Sequence, residues 1–97
     1  MPHEPLTLAS TVVATADHSS VDLGGETAIL ALDTGIYYSI DPIGGRIWSL
    51  LQEPRTVGEI RDALLERYDV SEEQCERDVL AFLEQMAGAG LVQIVAR

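Results

Sequence analysis

The sequence predicts an α+β fold, a small three-stranded antiparallel meander followed by three helices. Three observations carry it. Residues 27–40 form two short apolar runs joined by Asp33-Thr34-Gly35, a hairpin signal in which glycine supplies a positive φ. Asp41-Pro42 then sets an N-cap before a proline at the first helical position, where its missing N–H costs nothing. Downstream, Thr56-Val57-Gly58-Glu59 and Ser71-Glu72-Glu73-Gln74 each have the form of a capping box and mark two further helix starts.

In chain order, residues 1–6 read as a loose tail. Thr7 to Ala16, rich in Thr and Val, reads as a strand or an extended lead-in. Asp17-His18-Ser19-Ser20 reads as a turn, and Val21 to Leu23 as a brief strand that Gly24-Gly25 breaks. The second strand, Thr27 to Leu32, puts Ala28, Leu30 and Leu32 on one face and Ile29 and Ala31 on the other. The third, Ile36 to Ile40, puts Ile36, Tyr38 and Ile40 on one face and Tyr37 and Ser39 on the other. Ile43, Ile47, Leu50 and Leu51 form the apolar stripe of the first helix, which Glu53-Pro54 ends. The second helix, about Val57 to Tyr68, buries Val57, Ile60, Ala63, Leu64 and Tyr68. The third runs from Glu72 to about Ala87 or Ala89 and buries Cys75, Val79, Phe82, Leu83 and Met86, with Leu80 on a flank. Gly88 and Gly90 offer left-handed C-cap positions, and Leu91 to Val95 closes the chain as a strand or extended tail. With no repeats and no low-complexity linker, residues 1–97 read as a single domain.

Composition narrows the function. A chain of 97 residues buries about 60–68% of its unfolded surface, enough for one core with little room for a deep pocket. No apolar run approaches the roughly 18–20 residues that span a bilayer. Met1-Pro2-His3-Glu4-Pro5 lacks the layout of a signal peptide. A single cysteine, Cys75, forms no internal disulfide, which suits a reducing cytoplasm. Sixteen acidic residues stand against six basic ones, a formal net charge of −10, and every basic residue is Arg. The absence of Lys excludes a Schiff-base or phosphate-loop lysine. The acidity also opposes non-specific binding to nucleic acid, which needs a basic surface.

No catalytic constellation emerges. Cys75 occupies the fourth position of a helix, where a hydrophobic staple to Val70 is expected, and Glu72, Glu73 and Glu76 oppose a thiolate. His3 and His18 belong to no triad pattern, and one Cys with two scattered His cannot make a zinc site. The acids at Glu72, Glu73 and Glu76 lack the spacing of a calcium loop and suit a helix N-terminus. Gly24-Gly25 and Gly44-Gly45 make no phosphate-binding loop, and the second pair reads as close packing of a helix on the sheet. The chain is therefore expected to be no enzyme and to hold no cofactor or metal. What remains is a surface. Ile36 to Ile40 is a short apolar edge strand without Lys or Pro to block pairing, and such an edge either packs internally or accepts a strand from a partner.

These runs together resemble the PqqD-like family. The carriers are Tyr37-Tyr38-Ser39-Ile40-Asp41-Pro42-Ile43-Gly44-Gly45-Arg46-Ile47-Trp48, then Pro54-Arg55-Thr56-Val57-Gly58-Glu59-Ile60. Glu66-Arg67-Tyr68-Asp69-Val70, Asp78-Val79-Leu80-Ala81-Phe82-Leu83 and Gly90-Leu91-Val92 complete the pattern, so that it covers about residues 27–92. The chain departs from it at Gly44-Gly45, where one small residue is usual, and in its long lead-in. The resemblance implies a winged helix-turn-helix-like unit that recognises the leader of a ribosomally made, post-translationally modified peptide. The leader would add as a strand to the third strand and lie against the third helix. Carried onto this chain, the peptide-binding residues are Ile36, Tyr37, Tyr38, Ser39, Ile40, Asp78, Val79, Phe82, Leu83 and Met86. The discrete size and the hairpin ending in Gly35-Ile36-Tyr37-Tyr38 resemble the stand-alone version from lasso-peptide pathways, whose implied partners are the precursor leader, a leader protease and a cyclase. Nucleic acid and membrane are not expected as partners. The rival reading is a winged-helix DNA-binding domain of a transcriptional regulator, which the helix order permits and the charge opposes. An acidic carrier protein would need an Asp-Ser-Leu helix start, which does not occur. Whether the edge strand also pairs with its twin in a dimer is open at this level.

Overall fold

Asp41 is where the chain changes from sheet to helix. Its carboxylate accepts a hydrogen bond from the Gly44 N–H at 2.7 Å, and Pro42 follows at the first helical position. The computed structural model describes residues 6–16, 18–24 and 26–95. Within them lie strands β1 (Thr11–Ala14), β2 (His18–Asp22), β3 (Thr27–Ala31) and β4 (Ile36–Ile40), then helix α1 (Pro42–Leu50). A two-residue strand β5 (Arg55–Thr56), helices α2 (Val57–Arg67) and α3 (Glu72–Gly88), and strand β6 (Val92–Val95) follow.

The strands divide between two antiparallel sheets. One is the expected meander, β2-β3-β4, with Ile29 opposite Tyr38 and Leu30 opposite Tyr37. The other, β5-β1-β6, was not foreseen as a sheet. Its centre, β1, takes Thr11 to Ala14 out of the lead-in and pairs them with Val92 to Val95 near the other end of the chain. Two further bonds secure this closure, from Ala14 N–H to the Leu51 carbonyl (2.8 Å) and from Thr15 N–H to the Leu91 carbonyl (2.9 Å). Because the six strands split between two sheets, the winged-helix comparison holds only loosely.

The meander's first strand begins earlier than the sequence suggests. His18-Ser19-Ser20, assigned to a turn, are paired with Ala31, Leu30 and Ile29. Cross-strand pairing overrides the local turn preference of Ser. Asp17 of that turn, Gly25 and residues 1–5 of the expected tail lie outside the described residues. Leu6, the last residue of that tail, packs against the core.

Ile29 and Ala31 of β3 and Ile40 of β4 point inward against the helices. They meet Ile47 and Trp48 of α1, Ile60 and Leu64 of α2, and Val79, Leu83 and Met86 of α3. The stripe of α1 is rotated from its expected position. Trp48 is 4% exposed and packs edge-on against His18 with ring centroids 4.8 Å apart, while Ile43 is 40% exposed. The helix starts differ in completeness. At α2 both arms of the capping box form, Glu59 N–H to Thr56 Oγ1 (3.1 Å) and Thr56 N–H to Glu59 Oε1 (2.8 Å). At α3 Ser71 accepts from Gln74 N–H, but the Gln74 side chain turns to Asp78 (2.8 Å) and leaves the box half made. Arg61 joins the two helices by donating to Glu76 at 2.6 Å while it also meets Asp62 at 3.0 Å.

Candidate functional site

Within the described residues β4 pairs with β3 alone, so its other side is an unpaired edge. Antiparallel pairing uses alternate backbone groups on each side of a strand, so half of the β4 N–H and C=O groups face away from β3. Five residues span about 17 Å at the usual rise per residue. No lysine, proline or bulge blunts the strand, although edges commonly carry one.

Beside this edge lies a groove of about 410 Å³ between β4 and α3, lined by Tyr37, Tyr38, Ser39, Ile40, Asp41, Phe82, Gln85 and Met86. Its floor is apolar. Ile40 and Met86 are buried, and Tyr38 and Phe82 are half-buried against the core. Its rim is polar, with Ser39, Asp41 and Gln85 exposed. Tyr37 is 71% exposed at the outer lip. The packing behind the groove leaves no room for a side chain at Gly44. A Cβ built there would lie 3.1 Å from Phe82 Cε1 and would overlap Cγ2 of Ile40. The glycine thus lets α1, β4 and Phe82 converge, which is the close packing read from the Gly44-Gly45 pair.

The structure sorts the ten residues assigned to a peptide site. Tyr37, Tyr38, Ser39, Ile40, Phe82 and Met86 line one groove. Ile36 opens β4, half-exposed, beyond the groove lining. Val79 and Leu83 are fully buried, so they back the wall from the core and offer no contact surface. The helical period places them on the inward side of α3, whereas Phe82, Gln85 and Met86 share the side nearer β4. Asp78 lies apart from the groove, on a crevice of about 30 Å³ with Ile43, Leu64, Tyr68, Val70 and Cys75. Sequence reasoning missed Asp41 and Gln85. Asp41 reads as a cap and nothing more, while Gln85 stands at i+3 from Phe82 and could have been found by that spacing.

The other candidate chemistry resolves as packing. Cys75 is 3% exposed, and its thiol lies 3.7 Å from the Arg61 carbonyl as a weak donor. Burial pushes that thiol above its ordinary range, and the charge of Asp78 adds to the effect. Val70 and Cys75 both line the small crevice. Among the described residues no group of three or more His, Cys, Asp or Glu is placed to hold a metal ion. No helix among them is long and apolar enough to cross a membrane.

The family model for coenzyme PQQ synthesis protein D (PqqD) matches residues 26–92. The chain belongs to the PqqD family. The match covers nearly the same residues as the resemblance read from the sequence. Among solved structures, this PqqD-family chain is similar to TbiB1 in complex with the TbiA(beta) leader peptide. The two are 35% identical with a TM-score of 0.79, over 88% of this chain and 99% of that one. It also shares its fold with a lasso peptide synthetase B1 complexed with the leader peptide (17% identity, TM-score 0.75, 84% and 96% covered). The same fold appears in the PqqD truncation of Methylobacterium extorquens PqqCD, described as a functional stand-alone recognition element for ribosomally synthesised and post-translationally modified peptides. There the identity is 17% and the TM-score 0.76, with 91% and 94% covered. Among curated proteins none matches this chain.

Proposed function

We propose that this protein binds the leader of a ribosomally synthesised precursor by β-strand addition and presents it to processing enzymes, a leader protease and then a cyclase, in a lasso-peptide-type pathway. The observation that carries this reading is an unpaired strand edge lying along a groove with an apolar floor. A leader strand added to β4 gains backbone hydrogen bonds along the edge. Its alternate side chains fall toward Phe82, Met86 and the half-buried Tyr38. The likeness to TbiB1, solved with a leader peptide on it, supports the same assignment. A dissociation constant of about 1 μM corresponds to roughly −8 kcal/mol, within reach of a short strand with two or three apolar anchors. The protein acts here as an adaptor without chemistry of its own, in the cytoplasm where the precursor is made. Nothing in the groove favours the DNA-binding rival, since the lining carries no basic residue and its one charged group is Asp41.

The test is a fluorescence-anisotropy titration with a labelled leader from the neighbouring precursor gene and a scrambled leader as control. Saturable binding in the low-micromolar range or tighter, lost on scrambling, is the expected result. Equal affinity for both peptides, or none for either by the folded protein with the protease present, would refute it. A low-salt gel shift separates the rival, because a winged-helix DNA binder is tightest there.

A further inference from the structure

The meander has a second surface that the groove does not use. Strand alternation turns Ile29, Ala31, Tyr38 and Ile40 inward and sends their neighbours to the opposite face. That outer face carries Leu30 opposite Tyr37 at its centre, with Val21 opposite Ala28 beside them. Leu23 and Leu32, two residues on from Val21 and Leu30, flank this face just beyond the ends of β2 and β3. Val21 is 54% exposed, Leu23 62%, Leu32 56% and Tyr37 71%, so large apolar side chains stand in solvent on one side of one sheet. No helix lies over them among the described residues. A contiguous patch of this kind, rimmed by polar groups, marks an interaction surface more often than chance exposure.

The rim says what the partner must be. Between Met1 and Gly45 the chain has no Lys or Arg, while Asp and Glu recur along it. Asp22, Glu26 and Asp33 are exposed around this sheet, and among the described residues none of them makes a salt bridge. A second copy would set an acidic rim against an acidic rim, between chains that each carry a net charge of −10. A surface with an apolar centre and a Lys/Arg border fits both features. We infer that the outer face of the β2-β3-β4 sheet docks such a basic-bordered apolar surface on the processing enzyme that receives the peptide. Because the groove lies at the β4 edge on the helix side, this face stays free when a leader strand is in place. Tyr37 stands where the two surfaces meet, since it lines the groove and pairs opposite Leu30 of the outer face. The inference rests on the leader-binding reading for the identity of that enzyme.

The experiment uses the full chain on a biosensor with the leader protease encoded beside the precursor, at about 0.05 M and about 0.5 M salt. It is run with and without leader, alongside a leader titration and circular dichroism. The variants are Leu32→Glu, Val21→Glu and the pair Glu26→Lys with Asp33→Lys, none of which lines the groove. Each apolar variant is expected to weaken protease binding at least about tenfold, with folding and leader affinity unchanged. The double charge variant is expected to slow association and to flatten its salt dependence. Folded Leu32→Glu and Val21→Glu proteins that bind the protease as wild type does would overturn the inference. So would a wild-type chain that never binds it, or one that sediments as a dimer which Leu32→Glu dissociates. Loss of protease binding in these variants, where the wild-type chain binds the protease but ignores every leader, would instead sink the leader reading and leave the docking face standing.

Discussion

Replacing Gly44 by Ala tests the packing that shapes the groove, because two known effects oppose each other there. In a helix interior the change from Gly to Ala is favourable by about 1 kcal/mol, an upper bound for Gly44 in the first turn of α1. Here the added methyl would overlap Cγ2 of Ile40 and press on Phe82 Cε1 and Asp41 Oδ1, each 3.1 Å away. Ile40 is 5% exposed and held in the β3 pairing, so it has little room to yield. Overpacking of this kind costs about 1–3 kcal/mol, and at so close an approach the upper half of that range applies. The net loss is therefore about 1–2 kcal/mol, or a fall in Tm of roughly 5–10 °C for a domain of this size. The same displacement moves Phe82 and Ile40 into the groove and should weaken leader binding severalfold. Gly45→Ala is the internal control. Its methyl meets the Thr27 hydroxyl at 2.8 Å, which a side-chain rotation can relieve, so its loss should be clearly smaller. Thermal unfolding followed by circular dichroism, with anisotropy on the same samples, reads both quantities. A Gly44→Ala protein as stable as wild type, with unchanged leader affinity, would show that the glycine is not what lets α1 meet β4.

Three further perturbations address separate parts of the structure. Phe82→Asp puts a carboxylate on the apolar floor and should raise the leader dissociation constant at least about tenfold, checked by anisotropy on protein whose dichroism is native. Thr56→Ala removes the hydroxyl that receives the Glu59 N–H and should lower stability by about 1 kcal/mol in a urea titration. The thiol of Cys75 has its folded-state pKa raised above the ordinary 9.0, chiefly by burial. The unfolded chain therefore ionises first, and the thiol's contribution is whole below that pH and lost as pH rises through the folded value. Urea midpoints of wild type and Cys75→Ala, compared from about pH 8 to 10.5, should converge as pH rises. A constant gap would contradict the buried thiol.

What the sequence discloses and what it conceals divide along the distance over which a signal acts. The Asp41 cap, the Thr56 box and the turn ending at Gly35 are each settled by residues within a few positions, and all three stand in the structure. The pairing of Thr11 with Val95 has no local signature, because neither segment shows which distant strand will complete it. His18-Ser19-Ser20 misleads for the same reason, since its polar turn-like composition yields to a ladder with Ala31, Leu30 and Ile29. At the groove, Tyr38, Ile40, Phe82 and Met86, which the family resemblance implies as site residues, lie together. Spacing alone does not say which of Val79, Phe82 and Leu83 will be wholly buried and which will be left half-exposed at the groove. That distinction depends on tertiary packing, and at Gly44, where an added Cβ would meet both Ile40 and Phe82, the packing relies on a residue with no side chain to announce it. A groove of this design keeps its shape through a missing methyl and its opening through a missing strand. Substitutions that add atoms at Gly44 or charge at Phe82 should therefore harm binding more than truncation of the exposed Tyr37 ring, which points away from the floor.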